Sequence, residues 1–192
     1  MSTDKTAELF YKTNNLPKIN EFQKIKTFNF PSINLEIDAR KDFTEKYSSE
    51  IPSDFLIKKL RDFIRNDIVL ELCSGLGLWA AYLKQEKVKI FPTDIKPSTD
   101  CFCHVLPFSA RNAVETISTN ILFLSHPPAN SAEILDSVKA FKGKKIVYIG
   151  YEKSINDKML NEYLFKKYYV NAKYSINGFG NFKNTMYFLV RK

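Results

Sequence analysis

Short apolar runs alternate with stretches of helical periodicity from about residue 51 onward. Five of these runs are bounded by turn residues and are too short for helices, so they are predicted as strands: residues 68–72, 88–95, 103–106, 120–125 and 144–150. Apolar residues three or four positions apart predict five helices: residues 55–64, 80–86, 110–117, 131–141 and 155–170, the last being the longest. Strands that alternate with helices are typical of a parallel sheet covered on both faces.

The first of these helices has the clearest pattern. Its apolar side chains are predicted to share one stripe: Phe55, Ile57, Leu60, Phe63 and Ile64. Pro52 and Ser53 stand just ahead of it, where helix start signals belong.

The two ends of the chain depart from this alternation. Residues 171–180 and 184–192 are predicted to form an antiparallel pair joined by a glycine-containing turn near residues 177–181, which brings the strand count to seven. The first fifty residues are less regular, with Pro17 and Pro31 as breakers. We therefore expect one α/β domain over residues 51–192 and an N-terminal extension, residues 1–50, laid on it as an arm.

Length and composition agree with one globular domain. The chain has 192 residues, of which 44% are hydrophobic. No apolar run approaches the roughly 20 residues that a membrane-spanning helix needs, and the start lacks the layout of a secretory signal. Three cysteines make a poor disulfide framework, so we expect a reducing, cytoplasmic location and no membrane partner.

The positive charge is concentrated toward the C-terminus. The formal net charge is +8, and residues 151–192 contain eight Lys or Arg and three Asp or Glu. Residues 139–145 add four lysines. A basic C-terminal third could meet nucleic acid or an acidic partner, but solvated surface lysines give the same pattern, and both interpretations stay open.

The stretch VLELCSGLGLWAAYL, residues 69–83, carries the main indication of a ligand. A strand ends near Glu71, the chain turns on Gly75 and Gly77, and helical spacing resumes at once. Ligands of open α/β sheets bind beyond the carboxyl ends of the strands, and glycines let the backbone come close to them. Asp94 ends the second strand, where an acid can accept hydrogen bonds from both hydroxyls of a ribose.

Two ligand classes fit this turn. A dinucleotide fingerprint would need a third glycine at position 80, which is Ala80, and bulky Trp79 would lie beside the pyrophosphate. An adenosine ligand without a pyrophosphate, such as S-adenosylmethionine, fits better. Trp79 is either a ligand contact or a packing residue of the helix.

Residues 71–77 are similar to the first motif of the class I S-adenosylmethionine-dependent methyltransferases, which reads acid-x-G-x-G-x-G. ELCSGLG matches it at Glu71, Gly75 and Gly77, with Cys73 where the first glycine stands. The resemblance implies S-adenosylmethionine as the cofactor and a Rossmann-like, mostly parallel seven-stranded sheet with a C-terminal antiparallel hairpin. It also implies that Asp94 holds the ribose, that Ile95 lies beside the adenine, and that Cys73 and Trp79 lie in the cofactor site.

The chain is most similar to a poorly characterised group of methyltransferase-like proteins with YxxxIP, GxGxWA and (W/H)PP motifs. The matching segments are YSSEIPS from Tyr47, LWA from Leu78, SHPP from Ser125 and KGKKIVYIGYE in the fifth strand. The resemblance runs from about Lys46 to the C-terminus. It implies that Tyr47 belongs to a lid over the methyl donor, although a buried residue of the arm would look the same.

A second candidate site follows the fourth strand. Ser125 and His126 are predicted at its carboxyl end, and Pro127 and Pro128 hold the backbone behind them. Enzymes that methylate the amino groups of nucleobases carry a polar residue, two prolines and an aromatic residue here, whereas this chain has Ala129 in the aromatic position. A neutral His126 could instead accept a proton from a nitrogen or oxygen nucleophile. The alternative is a plain turn.

Other sites are less well supported. Cys101, Cys103 and His104 invite a zinc hypothesis, but on a strand the thiols would face away from the imidazole, so we expect no metal site. The preferred hypothesis is methyl transfer from S-adenosylmethionine to a nitrogen or oxygen nucleophile near Ser125 and His126. A non-catalytic module with the same fold, in which Cys73 crowds the donor, and a nicotinamide-dependent oxidoreductase are the alternatives. Neither the substrate nor the oligomeric state follows from the sequence.

Overall fold

The computed structural model describes residues 16–22, 33–150, 158–177 and 183–192. Its helices, numbered α1 to α7, are Ile19–Phe22, Ile33–Lys46, Asp54–Ile64, Leu78–Gln85, Ala110–Thr116, Ala132–Ala140 and Lys158–Lys167. Its strands, β1 to β7, are Val69–Leu72, Ile90–Asp94, Leu106–Pro107, Ile121–Ser125, Lys145–Gly150, Tyr168–Asn177 and Lys183–Arg191. None of the described helices is long and apolar enough to cross a membrane.

The seven strands form one sheet in the order β3-β2-β1-β4-β5-β7-β6. The first five are parallel, whereas β7 runs antiparallel to both β5 and β6. The prediction of a mostly parallel α/β sheet that ends in an antiparallel pair is confirmed. The predicted turn near residues 177–181 lies largely outside the described residues.

Alternate side chains of β1, β4, β5 and β7 belong to two separate apolar clusters, one on each face of the sheet. Ile121 and Phe123 of β4 pack with α3, α4 and the end of α2. Leu122 and Leu124 of the same strand pack with α5, α6 and α7. Buried on both faces, β4 therefore has the continuous apolar sequence of a central parallel strand.

Serine side chains begin three of the helices. The hydroxyls of Ser53, Ser109 and Ser131 each accept a hydrogen bond of 3.3 Å from a backbone N–H of the first turn of α3, α5 and α6. Each satisfies a donor that the helix itself leaves unpaired. The start signal predicted at Ser53 is confirmed.

The predicted stripe of α3 is wrong at one position. Phe55 is exposed, and Leu56 takes its place among the buried residues with Ile57, Leu60 and Ile64. The aromatic ring of Phe55 instead packs edge-on against Tyr174 of β6, with ring centroids 5.6 Å apart.

The last predicted helix is also wrong at its C-terminal end. α7 ends at Lys167, and Tyr168 and Tyr169 already belong to β6, paired with Arg191 and Val190 of β7. Tyr168 is buried, and its ring lies 5.6 Å from the guanidinium carbon of Arg191. The β-forming residues at this point pair with β7, and this pairing overrides the helical spacing.

Two further expectations need correction. The third strand is only Leu106–Pro107, so Cys101 and Cys103 precede it rather than alternating along it. The N-terminal extension, expected to be less regular, contains the fourteen-residue helix α2. Phe43 and Tyr47, at the end of α2, pack into the same apolar cluster as α3 and α4.

Candidate functional site

The carboxyl ends of β1 and β4 and the end of α2 enclose a cavity of about 300 Å³. Sites for small molecules have volumes upward of roughly this value. The cavity brings together seven of the residues that the sequence singled out: Tyr47, Glu71, Cys73, Gly75, Trp79, Ser125 and His126.

The turn after β1 is built from left-handed residues. The φ angles of Cys73, Gly75 and Gly77 are +54°, +54° and +71°. A Cβ on Gly75 would meet nothing within 4 Å, so this side of the turn faces open space. A Cβ on Gly77 would lie 3.0 Å from the Sγ of Cys103. Gly75 therefore borders the space for a ligand, whereas Gly77 lets the turn pack on the chain ahead of β3.

Asp94 fastens this turn to the end of β2. Its carboxylate accepts hydrogen bonds from the backbone N–H groups of Gly75, at 3.0 Å, and Lys96, at 3.1 Å. A carboxylate has about four lone-pair sites, so these two bonds leave acceptor capacity for ligand hydroxyls. Asp94 does not line the cavity itself, but it is hydrogen-bonded to Gly75, which does.

Glu71 is the unusual acid of the cavity. Its side chain is buried, and its Oε2 atom has no hydrogen-bond partner among the described residues. Burial raises the pKa of Glu71 from 4.5 to about 8, and the negative charge of Asp94 adds to this while Lys84 opposes it. At neutral pH Glu71 is therefore mainly protonated and can donate a hydrogen bond as well as accept one.

Ser125 and His126 converge on a buried carboxylate, Glu50. The imidazole Nδ1 atom of His126 lies 2.6 Å from Glu50 Oε1, and the Ser125 hydroxyl donates to Glu50 Oε2 at 3.3 Å. The side-chain amide of Asn184, on β7, donates to Glu50 Oε1 at 2.9 Å. Glu50 lies inside the segment YSSEIPS, but its role was missed, because its contacts with β4 and β7 leave no signal in the neighbouring sequence.

The backbone turns sharply at His126, which has a φ of +51°. Its N–H donates to the carbonyl oxygen of Ile149 at 3.2 Å, which extends the pairing of β4 with β5 by one residue. Pro127 is buried, and Pro128 lines a separate, small cavity beside α6 and α7. The prolines therefore stiffen the turn from behind and do not line the main cavity.

Tyr47 and Trp79 both line the cavity. The ring of Tyr47 stacks on Phe102 with centroids 6.0 Å apart, and burial, with the charge of Glu21, raises the pKa of Tyr47 to about 12. Trp79 is buried and packs edge-on against Phe123, and its Nε1 has no hydrogen-bond partner among the described residues. Trp79 is thus both a core residue and part of the cavity wall.

Three other residues that the sequence brought into consideration lie outside the cavity wall. Ile95 is 71% exposed and does not line the cavity. Cys101 and Cys103 carry free thiols whose pKa burial raises. Within residues 16–22, 33–150, 158–177 and 183–192, no three His, Cys, Asp or Glu side chains form a group that could hold a metal ion.

A set of basic side chains lies at the opposite edge of the sheet, where β1, β2, β4, β5 and β6 begin and β7 ends. We call this set the basic edge; its exposed members are Arg65, Lys87, Lys89, Lys142, Lys144, Lys166, Lys167, Arg191 and Lys192. Backbone hydrogen bonds tie Arg191 to Lys144 and Lys192 to Lys167, so residues from three elements are neighbours here. Lys145 is balanced by Asp67 at 2.8 Å.

Sequence comparison matches the chain to no protein family and to no curated protein. Solved structures do match it. Magnesium protoporphyrin IX methyltransferase of Synechocystis PCC 6803, with bound SAM, is 9% identical and superposes with a TM-score of 0.56 over 100% of this chain and 92% of that one. The 1,6-didemethyltoxoflavin-N1-methyltransferase of Burkholderia thailandensis, with bound S-adenosylhomocysteine, is 10% identical, with a TM-score of 0.56 over 87% and 94%.

The chain has the class I methyltransferase fold. The same fold relates it to the tRNA (uracil-54, C5)-methyltransferase of Pyrococcus abyssi, which is 15% identical, with a TM-score of 0.50 over 71% of this chain. This chain covers only 37% of that enzyme. At identities this low, the structural similarity establishes the class I methyltransferase fold and does not indicate a substrate.

Proposed function

We propose that this protein is an S-adenosylmethionine-dependent methyltransferase that acts on a nitrogen or oxygen nucleophile. The observation that carries the proposal is one cavity lined both by the glycine turn and by Ser125 and His126. A donor site and an acceptor site must adjoin for direct transfer, and the carboxyl ends of β1 and β4 are neighbours in the sheet.

The residues of the turn fit this cofactor. Gly75 faces open space, so an adenosine-bearing ligand can approach the backbone there. Asp94 keeps acceptor capacity for ribose hydroxyls, and the unpartnered oxygen of Glu71 can bond the amino-acid end of the ligand. Structural neighbours were solved with SAM or S-adenosylhomocysteine, which supports the same choice of cofactor.

The cofactor supplies a methyl group on a positively charged sulfur, which is already activated for transfer. When the donor is bound, His126 would accept the proton that a nitrogen or oxygen nucleophile loses on methylation. Tyr47, Ser48 and Ser49 line the cavity from the side of the extension. Because the methyl group of the donor is already activated, positioning of the two reactants contributes more to the rate than proton transfer does.

A calorimetric titration with S-adenosylhomocysteine tests the donor site. Asp94→Ala should weaken binding at least tenfold, because it removes charge-assisted hydrogen bonds worth about 1.5–3 kcal/mol each and frees the N–H of Gly75. Asp136→Ala, an exposed acid on α6, is the matched control and should bind as the parent does. Equal affinity of the parent and Asp94→Ala would show that the ribose lies elsewhere.

A non-catalytic module is the second candidate, and Cys73 is the observation that favours it. Its side chain lines the cavity at the position where the methyltransferase motif has glycine. A thiol that crowds the donor would leave the fold intact and the affinity low. Failure of the parent to bind S-adenosylhomocysteine, together with binding by Cys73→Gly, would support this candidate.

Nucleic acid is the partner that the basic edge favours. The edge spans six of the seven strands, or roughly 24 Å at about 4.8 Å per strand. Arrays of Lys and Arg of this length bind phosphate backbones through the release of counterions. The Pyrococcus abyssi neighbour is a tRNA methyltransferase, which agrees with an RNA partner.

A further inference from the structure

The inference rests on the proposed function and concerns Glu50, whose side chain is fully buried. A carboxylate away from water is costly unless hydrogen bonds satisfy it. Glu50 has three such partners, on β4, in the turn after β4, and on β7. The chain thus maintains a buried acid at the point where the proposed function requires proton transfer.

The geometry determines which nitrogen of His126 carries hydrogen. Glu50 Oε1 lies 2.6 Å from Nδ1 of His126 and also accepts a hydrogen bond from the amide of Asn184 at 2.9 Å. An oxygen that accepts from Asn184 in this way acts as an acceptor toward the imidazole as well, so the hydrogen belongs to Nδ1. In a neutral imidazole the other nitrogen, Nε2, is then the acceptor.

We propose that Glu50 is a positioning residue: it holds the imidazole of His126 in the tautomer protonated on Nδ1 and thereby makes Nε2 the proton acceptor for the methyl-accepting group. Ser125 and Asn184 in turn fix the carboxylate. Asn184 supports the catalytic geometry from the last strand, and Glu50 brings the N-terminal extension into it. The extension is therefore part of the catalytic apparatus and more than a cover.

Nuclear magnetic resonance of the ¹⁵N-labelled full chain tests this without a methyl acceptor. The sequence has only two histidines, so His104→Gln assigns the signals of His126. In the parent, Nδ1 of neutral His126 should resonate as a protonated ring nitrogen and Nε2 as an unprotonated one. The reverse pattern in the parent would overturn the proposal on its own, whatever the variants do.

Glu50→Leu, similar in size but unable to accept a hydrogen bond, should lose the preference for hydrogen on Nδ1. Asp42→Leu, an exposed acid of the same extension that does not line the cavity, is the matched control and should keep it. An unchanged tautomer in a folded Glu50→Leu would overturn the proposal. If Glu50→Leu does not fold, the tautomer of the parent and that of Asn184→Ala still test the proposal. Asn184→Ala leaves Glu50 Oε1 to accept from Nδ1 alone, so His126 should keep its hydrogen on Nδ1.

Activity gives a second readout. Glu50→Leu should lower kcat toward the loss of about 10²–10⁴-fold that removing a general base causes, with the affinity for S-adenosylhomocysteine nearly unchanged. Glu50→Asp should recover part of the rate, since a carboxylate remains. A loss of donor affinity without a change in kcat would assign Glu50 a structural role. If the parent binds no S-adenosylhomocysteine, the proposed function fails, whereas the tautomer still tests Glu50.

Discussion

At the carboxyl edge the strands end in a cavity, whereas at the amino edge they begin beneath exposed basic side chains. The carboxyl edge contains Glu50 and Glu71, two acids whose side chains are buried. The basic edge contains lysines and arginines that water screens. Both edges belong to one sheet, so the direction of the parallel strands separates the cavity from the basic edge.

This separation has a geometric consequence. A nucleic acid that binds the basic edge contacts the side of the protein opposite His126, so its reacting base is not the one held at that edge. Either the bound nucleic acid passes around the domain to the cavity, or one part of it binds the basic edge while another part enters the cavity. Substitutions at one edge should therefore leave the function of the other edge unchanged.

The largest effect is expected at His126. His126→Ala should lower turnover by about 10²–10⁴-fold with donor affinity nearly intact, because no group remains to accept the proton. A screen of nucleic acids, proteins and small metabolites with labelled donor must first supply the acceptor. Rates of the parent and the variant on that acceptor then make the measurement.

His126→Asn is the matched control, since Asn tolerates the positive φ at this position better than Ala does. An amide can orient an amine but cannot take its proton at neutral pH. Full activity in Asn with a loss in Ala would indicate orientation by hydrogen bonding. Full activity in both would place the chemistry away from His126 and remove the contrast between the edges.

The next effect concerns the basic edge. Lys166→Glu combined with Lys167→Glu should weaken binding of a labelled single-stranded RNA, because fewer phosphates are neutralised. The slope of log affinity against log salt should fall by about 0.7 for each phosphate that the variant no longer neutralises. S-adenosylhomocysteine should bind as before, because the cavity lies at the other edge. Fluorescence anisotropy at several salt concentrations is the measurement.

Lys158→Glu, at the other end of the same helix, is the control for that experiment. It changes the charge as much per residue but lies away from the basic edge. If it weakens RNA binding as strongly per charge, net charge rather than the basic edge accounts for the binding. If neither variant changes binding, the nucleic-acid partner is wrong.

Most strands and helix starts could be predicted from the sequence, because they depend on local patterns, but the third strand was misplaced. The buried runs of β4 and β5 and the capping serine Ser53 need only neighbouring residues for their explanation. The start of β6 could not, since Tyr168 and Tyr169 satisfy helical spacing equally well and only β7 decides between the two structures.

The glycine turn and the residues after β4 were also accessible, because chemistry at the carboxyl ends of parallel strands follows from the fold class. Glu50 was not accessible. It lies 75 residues before Ser125 and 134 before Asn184, and nothing nearby marks an acid that will be buried. The resemblance to class I methyltransferases implies that Ile95 lies beside the adenine. Its side chain is largely exposed, and this role stays a prediction.

A third prediction concerns the proton on Glu71. Because its pKa is about 8 in the folded chain and 4.5 otherwise, the folded state binds the proton more tightly. The stability that this contributes is complete below about pH 4.5 and is lost as the pH rises to about 8. Relative to Glu71→Gln, the parent should lose up to about 1.4 kcal/mol of unfolding free energy per pH unit in this window.

Urea unfolding at several pH values measures that difference, with Glu115→Gln as an exposed control on α5. A parent and Glu71→Gln with parallel pH profiles would mean that Glu71 is already ionised in the folded chain. Glu71 would then be ionised like a surface acid, and one difference between the cavity and the basic edge would disappear.

The smallest effect is expected at Cys73. Cys73→Gly should tighten S-adenosylhomocysteine binding by no more than about tenfold, or about 1.4 kcal/mol, by removing the thiol from the cavity wall. Stability should change little, since relief of the left-handed conformation offsets the added entropy of glycine in the unfolded chain. Weaker binding in this variant would show that the thiol contributes to the donor site.

The distances along the chain that Glu50 spans also affect how the protein is made. β7, which carries Asn184, lies between β5 and β6 in the finished sheet, so it must insert after both neighbours have been synthesised or be enclosed by them. Contacts between such distant parts of the chain form late, because the entropy of closing a long loop opposes them. During translation the glycine turn and His126 leave the ribosome well before residue 184, and the carboxylate of Glu50 has only part of its final set of partners. A chain that stops before β7 therefore contains His126 and Glu50 but lacks the amide of Asn184 that donates to the carboxylate.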